Sequence, residues 1–138
     1  MMLSERERAF LLRQRIGHLA TADTSGTPTV VPVCFAVGDE VLYTAMDDKL
    51  KRTRRPRRIC DVETNSYVTF IADRYDEDWT RLGWVMIRGK AAIFDSGEEY
   101  AYGCESLRRR YAQYATMILR PVIAIRIGAV RSWGDLDG

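Results

Sequence analysis

The chain has 138 residues, 46% of them hydrophobic and 29% charged, with a net charge of +2; this suits one globular domain over residues 1–138 and excludes a largely disordered or collagen-like chain. Cys34, Cys60 and Cys104 are an odd number with no C-x-x-C pair, which argues against a zinc centre or a disulfide framework and for a reducing, cytoplasmic compartment. The opening MMLSERERAFLL turns charged straight after Leu3, so it lacks a signal-peptide core, and no run reaches the roughly 18–20 apolar residues of a membrane helix.

Ser4 and Glu7 have capping-box spacing before Phe10, Leu11 and Leu12, which predicts a helix from Glu5 to Arg15. Ile16 to Ala22 reads as a short strand, and DTSGTP at 23–28 is turn chemistry. Thr29 to Val37, rich in β-branched residues, is the second strand. Pro32 inside it cannot donate to a ladder, so it marks an edge, a bulge or a ligand-facing position. Cys34 in this apolar run reads as a buried thiol. Gly38-Asp39 turns the chain into a third strand, Glu40 to Ala45. Pro56 fits the first turn of a helix to Glu63. Strands at Tyr67–Ala72 and Trp84–Phe94 follow. Ser96 and Glu99 suggest a second capping box, opening a helix to Ala115. The sixth strand is Pro121–Ile127, with Val130–Trp133 as a possible extension. Strands dominate and the early ones are joined by short turns. This predicts a mainly β fold with flanking helices, antiparallel and not alternating βαβ.

Charge is unevenly spread. Seven of the ten residues from Lys49 to Arg58 are Lys or Arg, and four of the six from Asp73 to Asp78 are acidic. A cationic cluster of Lys and Arg can grip a phosphate, or simply be a solvated face. Nucleic-acid binding is disfavoured, because the run has no interleaved aromatics and the rest of the chain is not basic. The acidic group has no D-x-D-x-D-G loop with a distal Glu, so it reads as an exposed loop, able to meet the basic run of another subunit, and not as a metal site. His18 is the only histidine. It has no nucleophile signature beside it, and no Rossmann or P-loop string is present.

The strings GHLATADTSGTPTVVPVCF, LYTAMDDKLKR, ADRYDEDWTRLGWVMIRGKA and PVIAIRIGAVRSW occur in that order across nearly the whole chain. Together they resemble the pyridoxamine-phosphate-oxidase-like family, and within it the actinobacterial branch that uses the deazaflavin coenzyme F420. The resemblance implies a six-stranded antiparallel split β-barrel of the FMN-binding type. It also implies a homodimer with cofactor in the groove between subunits and a small-molecule substrate. Residue by residue, Val31, Pro32, Val33 and Cys34 match the strand against the flavin ring, or are plain core. Tyr43 and Thr44 match a cofactor-binding pair at the end of the third strand, the Thr hydroxyl bonding the ring or the phosphate, or else being an ordinary strand hydroxyl satisfied locally. Lys49, Lys51 and Arg52 match the cofactor's phosphate grip. Trp79, Trp84 and Trp133 match aromatics bordering the pocket, or are interface and core residues. Val31 stands where FMN-using oxidases carry an Arg, and Trp84 where they carry a Gln. The oxidases' C-terminal substrate motif is also missing. The resemblance therefore implies coenzyme F420, with FMN as the alternative, and hydride transfer with no assigned catalytic side chain. Oxidation of a pyridoxamine-phosphate-like amine and a non-catalytic flavin or haem carrier are the alternatives. Tyr43, Tyr75 and Tyr111 are candidate proton donors.

Overall fold

The computed structural model describes residues 3–47 and 56–138. Helix α1 spans Glu5–Arg13, shorter than predicted by two residues at its end. The capping box forms: the Glu7 amide donates to Ser4 Oγ and the Ser4 amide to Glu7 Oε1. Strands β1 (Gly17–Ala22), β2 (Pro28–Val33), β3 (Ala36–Val37) and β4 (Val41–Asp47) follow. Then come helix α2 (Arg57–Thr64), β5 (Tyr67–Arg74), β6 (Gly83–Phe94), α3 (Gly97–Arg110) and β7 (Leu119–Gly134). Short 3-10 turns lie at Trp79–Arg81 and Ala112–Thr116.

The expected six strands are seven, in one antiparallel sheet of order β2-β1-β5-β6-β7-β4-β3. The predicted second strand is broken between Val33 and Ala36 into β2 and β3, which lie at opposite edges of that order. Only Cys34 and Phe35 join them. The three peptide links from Val33 to Ala36 span roughly 11 Å at most, so the sheet must roll to bring its two edges together. Its ladder is split there. The cause of the break is Tyr111. Its hydroxyl accepts from the Phe35 amide (3.0 Å) and lies 3.1 Å from the Phe35 carbonyl and 2.9 Å from that of Arg15. Phe35's backbone groups are thus satisfied by a side chain in place of a neighbouring strand. The Arg110 guanidinium adds bonds to the Leu12 and Gln14 carbonyls and lies over the Phe35 ring.

Two cores result. The interior holds Leu19, Phe35, Leu42, Phe70, Val85, Ile87 and Ile125, plugged by Phe10 and Leu11 of α1, Ile59 and Val62 of α2, and Leu136. The second lies outside the roll, where Cys104 and Leu107 of α3 cover Val41, Tyr43, Ala45, Val122 and Ala124. Gly103 permits that approach: a Cβ there would meet Val122 Cγ1 at 2.8 Å.

The helix predicted to reach Ala115 stops at Arg110, because Tyr111 turns to the seam. The second capping box does not form. Glu99 instead accepts from the Tyr43 hydroxyl (2.6 Å) and from Arg126 (3.0 Å). Both offer a carboxylate a stronger bond than the exposed Ser96 amide would. The two segments expected of the last strand are one, running through a ladder shift opposite Arg88 and Gly89. A Cβ on Gly89 would lie 2.1 Å from the Arg126 carbonyl oxygen, so glycine is needed at this irregularity. Among the described residues, no helix is long and apolar enough to cross a membrane.

Candidate functional site: the open face of the rolled sheet

Side chains alternate between the two faces of a strand. On β1, β5 and β6 the residues Leu19, Val68, Phe70, Ala72, Val85 and Ile87 point into the interior. Their neighbours must point out. Across the outer face one row reads Pro32, His18, Ile71, Met86 and Arg131, each directly opposite the next. The adjoining row reads Val30, Ala20, Thr69, Arg88 and Ala129. A shorter row nearer the β5–β6 loop reads Asp73, Trp84 and Trp133. Among the described residues no helix packs on these rows: α1 and α2 sit on the interior core, and α3 on the second. Val30 is 62% and Trp133 53% exposed. This is a broad surface, apolar at its centre, with one imidazole and two guanidinium groups. Exposed apolar surface of that kind marks a binding site.

At one margin of the face lies β2, an edge strand. Pro32 sits there because an edge tolerates a missing donor. The side of β2 away from β1 carries backbone groups without a strand partner, which could bond a planar heterocycle's polar edge. At another margin the β5–β6 loop is held rigid. Asp78 accepts from the Thr80 amide and hydroxyl, Asp76 pairs with Arg81 at 3.2 Å, and Arg74 donates to the Arg81 and Asp135 carbonyls. The Thr80 hydroxyl and amide hold the Asp78 carboxyl below its ordinary range. Trp79, 70% exposed, stands on this loop with its indole N–H 3.3 Å from the Tyr75 hydroxyl.

A family model described as pyridoxamine 5'-phosphate oxidase matches residues 3–134. The chain belongs to that family. No curated protein matches the sequence. Among solved structures, a conserved hypothetical protein of Mycobacterium tuberculosis is similar at 22% identity and a TM-score of 0.73, over 98% of this chain and 86% of that one. A structure described as an F420 reductase is 24% identical, with a TM-score of 0.65, over 94% and 98% of the two chains. The haem storage protein HutZ of Vibrio cholerae is 15% identical, with a TM-score of 0.71, over the full length of both. At these identities the likeness is one of fold.

Within this pyridoxamine 5'-phosphate oxidase family chain, the residues singled out from sequence fall into distinct places. Pro32 lies on the open face, whereas Val33 is buried in the interior and Val31 packs against it. Cys34, expected to be buried, is half-buried at the seam, because the strand has ended there. Tyr43 and Thr44 are both buried and point to opposite faces, Thr44 inward and Tyr43 under α3. Burial and the Glu99 carboxylate push the Tyr43 phenol well above its ordinary value. Trp84 and Trp133 form a cross-strand pair on the open face. Lys49, Lys51 and Arg52 lie outside the described residues. Tyr111 is engaged by the seam. Among the described residues, no group of three or more His, Cys, Asp or Glu could hold a metal.

Sequence reasoning missed three things. His18, read only as a mid-strand residue, stands on the open face between edge residue Pro32 and Ile71. Its signal was the alternation of GHLATA, whose burial runs buried, half-buried along its length. Arg88 and Arg131 share that face, and only the strand register could bring them there. Asp61 is buried on α2, accepting from the Thr21 hydroxyl at 2.8 Å, and so ties α2 to β1.

Proposed function

We propose that this chain is a homodimeric oxidoreductase of the deazaflavin-using branch, reducing a small electron-poor organic acceptor with coenzyme F420. The observation that carries the reading is the open face: a folded sheet leaves five strands of mixed apolar and cationic surface uncovered beside an edge strand. A second copy laid on this face would bury Val30, Ile71 and Met86 and leave a groove along each β2 margin. The resemblance to an F420 reductase supports the cofactor, as does Val31. Its side chain is apolar and packs against the interior, so it offers no cation where FMN oxidases place an Arg.

In this reading the edge backbone of Val31–Cys34 holds the polar rim of the ring. Lys49, Lys51 and Arg52, which follow β4 in sequence, supply cations to the phosphate. Tyr43 and Thr44 are buried and align the end of β4 that feeds the basic run. Trp79, Trp84 and Trp133 border the ring and exclude water. Held there, a reduced deazaflavin would supply the hydride, a two-electron oxidation of the cofactor, and the acceptor's proton would come from water. The protein contributes binding and orientation, and no side chain is assigned as acid or base.

Titration of the purified protein with coenzyme F420 and with FMN tests this. F420 is expected to bind and FMN not to, and the double variant Lys49→Glu, Lys51→Glu is expected to lose F420 binding while keeping its fold. FMN co-purifying with no F420 binding would overturn the cofactor. A monomer by native mass measurement would overturn the shared groove.

One observation favours a second reading, a haem carrier. His18 is the only imidazole, and it sits on the open face with two guanidinium groups that could meet propionates. The likeness to a haem storage protein agrees with it. A Soret band on haem addition that is lost in His18→Ala would favour this reading over the first.

A further inference from the structure

All three tryptophans of the chain gather at one end of the open face. Trp84 on β6 stands directly opposite Trp133 on β7. Trp79 lies on the loop that leads into β6, beside Tyr75, which is 62% exposed. Opposite residues in an antiparallel ladder have Cβ atoms roughly 5 Å apart, so the two indoles stand side by side on the same face. On the other side of Trp84, Asp73 occupies the same row. It is exposed, and none of the described residues makes a hydrogen bond or ion pair to its side chain. The nearby loop adds Glu77 and Asp78, both exposed, and the Asp78 carboxyl is held ionised by Thr80.

The charge of the open face is therefore polarised. Its middle carries Arg88 and Arg131, and its tryptophan end carries carboxylates. Arg131 lies one row from Trp133 on the same strand. Arg81 is paired with Asp76, and Arg74 is occupied by the Asp135 side chain and backbone.

We propose that the row Asp73–Trp84–Trp133 is the acceptor subsite, and that it selects flat, conjugated organic molecules bearing a positive charge. This deepens the oxidoreductase reading and rests on it for the word acceptor. Indole faces are the strongest aromatic partners for a cation. A neighbouring carboxylate adds a Coulomb attraction that a neutral molecule of the same shape does not feel. Planar shape is favoured because two adjacent indoles offer area and little depth. A positive charge also leaves a conjugated ring electron-poor and raises its affinity for an electron pair, which is the property a hydride acceptor needs. The β6–β7 ladder carries both indoles of the wall on paired strands, so little backbone ordering entropy is lost when a ligand arrives.

The test needs no cofactor. Because two of the three tryptophans form the subsite and the third lies on the adjoining loop, their fluorescence reads occupancy. The full-length protein is titrated at neutral pH and low salt with 1-methylquinolinium, quinoline and 1-naphthoate, which share a bicyclic shape and differ in charge. The cation is expected to bind about ten-fold more tightly than quinoline, with naphthoate weakest. Asp73→Asn is expected to remove most of that ratio while leaving quinoline's affinity unchanged. Equal affinity for the cation and quinoline would overturn the proposal, as would a ratio that survives Asp73→Asn. Trp133→Ala checks the wall: all three ligands should weaken, and their unchanged binding would also overturn it. Failure of F420 to bind would overturn the cofactor assignment and leave this charge series standing, so the two readings fail separately.

Discussion

The outside of the rolled sheet is divided between two treatments. Where α3 lies, the strands offer Ala36, Ala45, Ala124 and Val122, and the helix answers with Gly103 and Leu107. Small residues on both sides let backbones approach and close a core. Over β2, β1, β5, β6 and β7 the same alternation puts Ile71, Met86, Trp84, His18 and arginines outward, and no described helix covers them. The inward faces of both regions are equally apolar. The difference lies entirely in the outward residues. Size and charge there decide whether a strand receives part of its own chain or is left for something else.

The largest effect expected on the covered side is that of Leu107→Ala, which empties a fully buried position. Its cost is about 2–5 kcal/mol by urea denaturation. Gly103→Val overfills the same interface, against Val122 and Tyr43, and is expected to cost about 1–3 kcal/mol despite the better helix propensity. A value near zero would mean that α3 rides higher than the packing requires. The Tyr43 phenol gives a pH signature of this side. Its folded value is raised above the ordinary 10.0 by burial and Glu99. The unfolded chain therefore releases that proton first. The contribution is complete below about pH 10 and is lost as pH rises beyond it. Tyr43→Phe should flatten the fall in the urea midpoint above that pH. On the open side, Met86→Glu is expected to leave monomer stability within about 1 kcal/mol, because the residue is only half-buried. The same change should convert dimer to monomer in sedimentation. A large loss of stability without a change of mass would erase the distinction between the two faces.

Much of this was legible in the sequence. The first, third, fourth and fifth predicted strands lie within two residues of the observed ones, and Ser4 with Glu7 marked the start of the first helix, whereas the second strand is split and the last runs seven residues beyond Ile127. The basic run, the acidic loop and the tryptophans could be named as features. Their grouping could not, since Asp73 and Trp84 meet through the β5–β6 register and Trp133 joins them only through the pairing of β6 with the distant β7. The strand break at Cys34–Phe35 was also hidden. It comes from a phenol 76 residues away, and local β propensity across TVVPVCFAV gives no sign of it. Ser96 and Glu99 have the spacing of a capping box, yet tertiary partners of Glu99 prevail. Local motifs lose to long-range ones when the latter offer a charged or buried bond.

The two-residue seam sets an order on assembly. β1 can pair with β2 as soon as both exist, but β4 finds its only long partner in β7, the last strand. Tyr111, which closes Phe35, also arrives late. Until β7 lies between β6 and β4, the roll is open along two edges, and α3 has no complete surface to settle on. Closure is thus a long-range event, of the kind that sets folding in the range of roughly milliseconds to seconds. A chain emerging from a ribosome would carry bare strand edges until β7 was out. During that interval it would be most open to pairing with the wrong strand.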